Sequence, residues 1–143
     1  MMDLDHFKQY NDTFGHSAGD ELLSGLGKLL KSQTRGEDIA CRYGGEEFLL
    51  ILPGASMEIA LGRAENLRQA IKEMHQHHHG LKPATLSLGV AVYPNHGDTS
   101  LDIIKAADAA LYRAKQAGRD RVITAQSIQV YHQDHSGQMS AVQ

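Results

Sequence analysis

Four stretches of the chain carry apolar residues every three or four positions, which is the spacing of an amphipathic helix. The first two predicted helices cover residues 6–14 and 17–31, the second with Ser17 as its capping residue. The other two cover residues 56–80 and 100–118, each running from a serine to a glycine. Their predicted apolar faces comprise Ala60, Ala64, Leu67, Ile71 and Met74 in the third helix and Leu101, Ile104, Ala107, Leu111 and Ala114 in the fourth.

Shorter apolar runs between the helices predict strands. Residues 38–43 and 47–53 flank the adjacent glycines Gly44 and Gly45, which predicts a hairpin with a tight turn of positive φ. Residues 85–94 alternate between large apolar side chains and small or polar ones, as in a strand with two unlike faces. Together with the helices, these runs predict an α/β (α+β) fold with a mixed sheet and helices packed on it.

The two ends of the chain differ in pattern. The first residues, MMDLD, resemble the end of a buried strand whose earlier part is missing. Residues 121–125, RVITA, predict a last short strand. Residues 126–143 are polar and aperiodic, so we expect a mobile tail there.

Composition narrows the class of protein. A length of 143 residues with 41% hydrophobic and 22% charged residues is typical of one soluble globular domain. The net charge of -3 argues against a nucleic-acid binder. No run approaches the ~20 apolar residues of a membrane span, and no signal peptide is visible, so we expect a cytoplasmic protein without membrane contact.

Cysteine and histidine add little chemistry. Cys41 is the single cysteine, so an intrachain disulfide is excluded and a reducing compartment is the natural setting. We expect Cys41 to be a small core residue. Residues 75–79, HQHHH, offer ligands for Zn²⁺ or Ni²⁺, but they lie at a polar helix end without a nearby cysteine, and we do not predict a physiological metal site there.

Charged residues gather near the first strand and the predicted hairpin. If the first strand lies beside the hairpin, Asp3 and Glu46 face each other, and paired carboxylates suit Mg²⁺ and phosphoryl transfer. Lys8, Lys115 and Arg119 then supply positive charge for phosphates. The residues alone leave a plainer alternative open, in which the acids are solvated surface and the cations of the last helix merely complement its dipole.

Several motifs together resemble the GGDEF family of diguanylate cyclases. DLDHFKQYNDTFGHSAGDELL begins at residue 3, and CRYGGEEF contains the family signature as Gly44-Gly45-Glu46-Glu47-Phe48. LSLGVAVYP and ADAALYRAKQAGRDRV resemble the later family blocks, in the same order and spacing to about residue 123. The resemblance implies a polymerase-palm or nucleotide-cyclase-like fold with a mainly antiparallel sheet. It assigns residues 1–125 to a GGDEF domain that lacks the family's N-terminal helix and part of the first strand.

The resemblance also implies the condensation of two GTP molecules into cyclic di-GMP, with release of pyrophosphate. In this family Asp3, Glu46 and the Leu4 carbonyl would bind Mg²⁺, or Mn²⁺ in its place. The catalytic residues would be Glu46 as the base for the ribose 3′-hydroxyl, Glu47 beside it, and Lys8 near the α-phosphate.

The remaining substrate contacts are implied in the same way. Asn11 and Asp20 would read the guanine edge with His16 beside them, although the residues alone also suit ordinary helix ends. Gly44 and Gly45 would let phosphates lie against backbone N–H groups, and Lys115 and Arg119 would hold the terminal phosphates.

Residues 35–38, RGED, stand where the family has an Arg-x-x-Asp site for product inhibition. Arg35 and Asp38 are therefore expected to bind cyclic di-GMP. Further family arginines align here with Gly62 and Asn66, so we expect weaker binding. Arg63 and Arg68 lie nearby at other helix angles and are expected to replace them poorly.

Partners follow from the same resemblance: a homodimer for catalysis and an N-terminal sensor or regulatory domain in the full-length protein. Two alternatives stay open. One is an inactive module that binds GTP or cyclic di-GMP without turnover. The other is a nucleotidyltransferase of the polymerase-palm type, which shares the metal chemistry, but the chain has no extended basic track for a nucleic-acid strand.

Overall fold

The computed structural model of the chain describes residues 1–76, 83–127, 131–133 and 139–141. Its elements are β1 (Met2–Leu4), α1 (Phe7–Phe14), α2 (His16–Gln33), β2 (Ile39–Arg42), β3 (Glu47–Ile51), α3 (Met57–Gln76), β4 (Leu86–Val90), α4 (Ser100–Gln116), β5 (Val122–Thr124), β6 (Tyr131–Gln133) and β7 (Met139–Ala141). The predicted alternation of helices and strands is therefore confirmed from β1 to β5.

Strand β1 lies at the centre of a five-stranded sheet with the order β2-β3-β1-β4-β5. All neighbouring strands are antiparallel except β4 and β5, which confirms the mixed, mainly antiparallel sheet. The register sets Asp3 opposite Glu47 on one side and Ser87 on the other. The end of β1 thus lies directly beside the hairpin of β2 and β3, which is the arrangement assumed in the sequence analysis when Asp3 was set facing Glu46.

Alternation along β1 sends successive side chains to two different cores. Met2 and Leu4 belong to the larger core, which is formed with α1, α2 and α3. Met1 belongs to a smaller core with Leu49 and residues of α4. By the same alternation Asp3 lies on the α4 side of the sheet, where a cation on α4 can reach it.

Helix α4 lies close to the sheet because β4 has a glycine beneath it. A Cβ atom at Gly89 would come within 2.0 Å of the Ala107 carbonyl oxygen, which is an impossible contact. Thr99 caps α4 through a capping box with Asp102, and the helix begins at Ser100 as predicted. This packing fixes the last turn of α4 near the end of β1.

Some local predictions are wrong. Helix α2 begins at His16 after Gly15, whose φ is 88°, and Ser17 makes no capping hydrogen bond. Gly44 and Gly45 do not take positive φ, because the β2–β3 connection is a longer loop over residues 43–46 rather than a two-residue turn.

Two residues expected in the core are exposed. Cys41 lies on β2, an edge strand whose four residues are all exposed to solvent. Leu101 is 56% exposed in the first turn of α4, ahead of the residues of that helix that pack on the sheet. Helical spacing alone identified the direction of the apolar face but not how far along the helix it is covered.

The mobile tail predicted for residues 126–143 stays a prediction. Within it, β6 and β7 form a separate antiparallel pair. Residues 77–79 of the histidine-rich segment, and the side chain of His75, lie outside the described residues. None of the helices in the described ranges is both long and apolar enough to cross a bilayer.

Candidate functional site

Asp3 is a buried carboxylate at the end of the central strand. It is 5% exposed, and burial raises the pKa of Asp3 to about 6 from an ordinary value of 3.8. The Lys115 ammonium lies 3.1 Å from Asp3 Oδ2 and opposes this rise, whereas the nearby Glu46 and Glu47 carboxylates add to it. The predicted convergence of acidic residues at this edge of the sheet is therefore present in the fold.

The glycine loop is held to β1 by main-chain hydrogen bonds. The Leu4 N–H donates to the Glu46 carbonyl oxygen at 3.3 Å, which places Glu46 next to the strand that carries Asp3. The N–H groups of Tyr43 and Gly44 both donate to the Glu47 carbonyl oxygen, at 2.8 and 3.2 Å. The two glutamates therefore lie on a loop closed by its own backbone.

Arg42 adds a second restraint that sequence reasoning missed. Its guanidinium donates to the Gly44 carbonyl oxygen at 3.2 Å and to the Gly45 carbonyl oxygen at 2.6 Å. An arginine immediately before the glycine loop was the available signal, since its five donors suit the unpaired carbonyls of a turn. Arg42 shapes the loop and leaves the Glu46 side chain to other partners.

The two glycines of the loop have different surroundings. A Cβ atom at Gly45 would meet nothing within 4 Å, so open space lies over the backbone there. A Cβ atom at Gly44 would approach Glu47 Oε2 to 2.8 Å. The predicted backbone conformation was wrong, but the open face at Gly45 suits the close approach of a ligand to the main chain.

A second polar feature lies between α1 and α2. Among the described residues, Asn11 Oδ1 is the one buried side-chain oxygen or nitrogen without a hydrogen-bond partner. Gly19 lies against it, and a Cβ atom there would come within 1.7 Å of Asn11 Oδ1. Gly19 is thus a residue that the sequence analysis missed, and its lack of a side chain keeps Asn11 in place. Buried polar atoms are normally paired, so this acceptor suits a ligand donor.

The other predicted substrate contacts lie on α1, on α2 and at the end of α4. His16 and Asp20 are exposed at the start of α2, and Lys8 is exposed on α1. Lys115 is in the last turn of α4, and Arg119 follows that helix in a left-handed conformation with φ of 63°. Within the described ranges the Arg119 side chain makes neither a hydrogen bond nor an ion pair.

The residues present fit a divalent metal bound with help from a phosphorylated ligand. The described part of the chain contains no group of three or more His, Cys, Asp or Glu side chains arranged for a metal ion. Asp3, Glu46 and the Leu4 carbonyl form a smaller set of hard oxygen donors, and Mg²⁺ commonly takes one or two carboxylates plus phosphate oxygens and water. The buried Asp3 carboxylate, with its raised pKa, is the donor with most to gain from a cation.

Arg35 and Asp38 lie in the loop between α2 and β2. The Arg35 N–H donates to Asp38 Oδ2 at 2.8 Å, and the Asp38 N–H donates to the Arg35 carbonyl oxygen at 2.9 Å. Arg63 on α3 reaches the same carboxylate at 2.7 Å and also contacts the Gln33 carbonyl oxygen. The Arg35 N–H first, and then Arg63, hold the pKa of Asp38 below its ordinary value. Helix angle alone did not predict this contact of Arg63.

Comparison with known proteins identifies what these features resemble. The family model described as "Diguanylate cyclase, GGDEF domain" matches residues 1–121. Diguanylate cyclase A of Treponema denticola is 44% identical over 123 residues, covering 85% of this chain and 33% of that protein. The chain thus spans about a third of the length of this curated relative.

Two solved structures have the same fold. The active GGEEF domain of a diguanylate cyclase from Vibrio cholerae superposes with a TM-score of 0.77 at 35% identity, covering 89% of this chain and 81% of that one. The GGDEF domain of DgcB from Caulobacter crescentus, in complex with c-di-GMP, gives 0.76 at 30% identity, covering 86% and 74%. These similarities agree with the predicted nucleotide-cyclase palm fold.

Proposed function

Because the chain belongs to the family of diguanylate cyclase GGDEF domains, we propose that it condenses two GTP molecules into cyclic di-GMP and releases pyrophosphate. The observation that carries the proposal is the convergence of Asp3, Glu46, Glu47 and Lys115 at the end of β1, beside the open backbone of Gly45. Carboxylates, a cation and an uncovered main chain are the groups that a nucleoside triphosphate requires.

Each condensation forms a bond between a ribose 3′-oxygen and an α-phosphorus and breaks the bond to the pyrophosphate oxygen. Glu46 accepts the proton of the 3′-hydroxyl, and Glu47 lies beside it in the same loop. Lys8 stabilises the charge that develops at the α-phosphate, and Lys115 and Arg119 bind the terminal phosphates. Asp3, Glu46 and the Leu4 carbonyl would hold Mg²⁺, or Mn²⁺ in its place, and the bound metal would supply charge stabilisation at the phosphoryl oxygens.

Guanine is recognised between α1 and α2. The buried Asn11 Oδ1 atom accepts from a guanine N–H, and Asp20 accepts from the N1–H and N2–H₂ edge with His16 beside it. Adenine lacks this pair of donors and would leave Asn11 unpaired. Selectivity for GTP therefore follows from the one unsatisfied buried acceptor in the described ranges.

Catalysis requires two chains, since each protomer offers one such site and the reaction joins two nucleotides. A two-fold arrangement sets the two sites face to face. In the full-length protein an N-terminal sensor or regulatory domain would control this arrangement, and we place the reaction in the cytoplasm. These assignments rest on the membership of the chain in this family.

Product binding is assigned to Arg35 and Asp38, together with Arg63. The backbone and Arg63 hold the Asp38 carboxylate in place, and the Arg35 guanidinium is free to extend its planar donors to a guanine or phosphate. Bound product lowers activity if it favours a non-productive arrangement of the two protomers.

Incubation with GTP and MgCl₂, followed by separation of the nucleotides, tests the proposal. We expect cyclic di-GMP and pyrophosphate, and no corresponding product from ATP. If GTP binds but is recovered unchanged, the chain is an inactive nucleotide-binding module. If GTP neither binds nor reacts, the assignment of this site to a guanine nucleotide is wrong.

A further inference from the structure

Asp5 is a second carboxylate on the first segment, two residues after Asp3, and the proposed chemistry leaves it without a role. Its Oδ1 atom accepts from the Ser87 hydroxyl at 2.6 Å. Its Oδ2 atom accepts from the Thr85 hydroxyl at 2.7 Å and from the Asp120 N–H at 3.0 Å. The first two bonds tie Asp5 to the neighbouring strand, whereas the third reaches the loop that follows α4.

That loop has an unfavourable backbone. Arg119 and Asp120 are consecutive non-glycine residues with φ of 63° and 47°, in the left-handed region that disfavours side chains. Only His6, at 56°, shares this conformation among the other described non-glycine residues. Such a conformation persists when surrounding contacts determine it, and it is often found where function requires it.

The contacts that hold the loop are specific. The Arg119 N–H donates to the Ala114 carbonyl oxygen at 2.9 Å, which closes the end of α4. The Asp120 carboxylate lies 2.5 Å from a guanidinium nitrogen of Arg68 and 2.5 Å from Lys72 Nζ, both on α3. The Asp120 N–H is taken by Asp5. The residue next to Arg119 is therefore fixed from two sides, by β1 and by α3.

We propose that Asp5 is a positioning residue that acts through the Asp120 N–H to aim Arg119 at the terminal phosphates of the bound nucleotide. The proposal rests on the function assigned above. Arg119 has no partner of its own among the described residues, so the direction of its side chain depends on the backbone that carries it. Asp5 lies on the same segment as Asp3, so one short stretch of chain sets both the carboxylate and the arginine of the site.

A plain structural role for Asp5 predicts a different result. If Asp5 only ties β1 to β4, its loss would weaken the binding of every nucleotide to a similar extent. If Asp5 aims Arg119, its loss would weaken a triphosphate and spare a monophosphate. The informative quantity is therefore the ratio of the affinities for the two ligands.

Calorimetric titration in MgCl₂ with 3′-deoxy-GTP, which lacks the attacking hydroxyl, and with GMP measures this ratio. For Asp5→Asn we expect the affinity for 3′-deoxy-GTP to fall about tenfold while that for GMP changes less than about twofold. Thr85→Val is the matched control, because it removes a hydrogen bond from the same Asp5 oxygen and leaves the Asp120 bond. It should keep the ratio within about twofold of the wild-type value.

Two further variants keep the test decisive. In an Arg119→Ala background, Asp5→Asn should cause no further loss of triphosphate affinity, because both changes remove the same interaction. Asp120→Gly keeps the N–H that Asp5 accepts, tolerates positive φ and removes only the tether to α3, so it separates the contribution of the tether from that of Asp5 and should fold even if Asp5→Asn does not. It should keep the ratio within about twofold of the wild-type value.

Equal losses for both ligands in Asp5→Asn, additive losses in the Arg119→Ala background, or a fall of the ratio by about tenfold in Asp120→Gly would overturn the proposal. These outcomes differ from a failure of the proposed function. If the wild-type chain bound neither 3′-deoxy-GTP nor GMP, the guanine nucleotide site itself would be wrong. If it bound the triphosphate more tightly than GMP and Asp5→Asn kept the wild-type ratio of affinities, only the proposed role of Asp5 would be wrong.

Discussion

Two regions of the molecule combine arginine or lysine with aspartate, and they treat these charges differently. The proposed nucleotide site contains polar groups without internal partners: Asn11 Oδ1, on α1, is buried and unpaired within the described ranges, and Arg119, after α4, contacts no acid there, whereas Asp3 at the end of β1 is paired with Lys115. In the α2–β2 loop, the Asp38 carboxylate already accepts from the Arg35 N–H and from Arg63. A polar or charged group that lacks a partner gains more binding free energy from a ligand than a group that is already paired.

The difference implies that changes in the first region have larger effects on ligands. The proposed nucleotide site contains a buried acid, Asp3, whose charge a bound metal would stabilise, and an unpaired acceptor, Asn11 Oδ1, that a ligand donor would satisfy. The α2–β2 loop contains a largely buried ion pair, Asp38 with Arg63, whose energy is already realised. A ligand at the loop gains mainly the contacts of Arg35 and must fit around an existing ion pair.

The largest expected effect is that of Glu46→Gln on turnover. A carboxamide neither accepts the 3′-hydroxyl proton nor binds Mg²⁺ well, and loss of a general base typically costs ~10²–10⁴-fold. Turnover is measured as cyclic di-GMP formed from GTP. Glu58→Gln, at an exposed glutamate in the first turn of α3, is the control and should retain wild-type turnover. Near-normal turnover in Glu46→Gln with metal still bound would remove Glu46 from the mechanism.

A pH-dependent stability change is expected at Asp3. Because burial raises the pKa of Asp3 to about 6, its favourable contribution is complete below 3.8 and is lost as pH rises through 6. Without metal, Asp3→Asn should therefore gain stability relative to wild type between pH 4 and pH 7, by up to about 3 kcal/mol. Urea denaturation in EDTA across this range measures the gain.

The matched control for this prediction is Asp12→Asn, at an exposed acid on α1, whose effect on stability should not grow over the same pH range. A difference between wild type and Asp3→Asn that is constant from pH 4 to pH 7 would show that burial does not govern this carboxylate. A buried carboxylate with a raised pKa would then no longer distinguish the end of β1 from the α2–β2 loop.

Guanine selectivity should depend on Asn11 and Asp20. For Asp20→Ala or Asn11→Ala we expect the ratio of GTP to ATP affinity to fall by about 10–100-fold, since each change removes an acceptor for guanine donors. Asp12→Ala changes an exposed neighbour on α1 and should keep the wild-type ratio. Competition binding with GTP and ATP measures this ratio of affinities. A wild-type ratio in Asp20→Ala would mean that the base lies elsewhere.

The smallest effect is expected in the α2–β2 loop. Arg35→Ala should lower the affinity for cyclic di-GMP by about tenfold, because one planar set of donors is lost while Asp38 keeps its internal partners. Lys31→Ala, which removes an exposed cation near the end of α2, is the control and should change the affinity little. Titration calorimetry compares the two. Equal affinity in wild type and Arg35→Ala would exclude this loop from product binding.

Sequence patterns predicted the helices and strands around the proposed nucleotide site better than the side-chain contacts between them. The local periodicity of apolar residues predicted helices α2, α3 and α4 and the end of β1. The position of Asp3 beside the loop that carries Glu46 follows from the order of the strands. The packing of Gly19 on Asn11 and the clamp of Arg42 on the glycine loop depend on distances between elements, which periodicity does not encode.

Sequence patterns also failed to predict the contacts that join distant parts of the chain, including those of the α2–β2 loop. The contact of Arg63 with Asp38 joins residues 25 positions apart in different elements, and helix angle did not predict it. The bonds from Asp5 to Thr85, Ser87 and Asp120 span still longer separations. Local patterns find the residues that carry the chemistry, whereas the residues that hold them in place become visible only in the fold.

We propose that the end of β1 is a catalytic nucleotide site that two chains complete together. Product formation from GTP and MgCl₂ should be measured over a series of protein concentrations that spans the dimer dissociation constant. We expect cyclic di-GMP, with a specific activity that rises with protein concentration and levels off once dimers predominate. Specific activity that stays constant well below the dimer constant would contradict the shared site, and GTP recovered unchanged at every concentration would contradict the catalytic role itself.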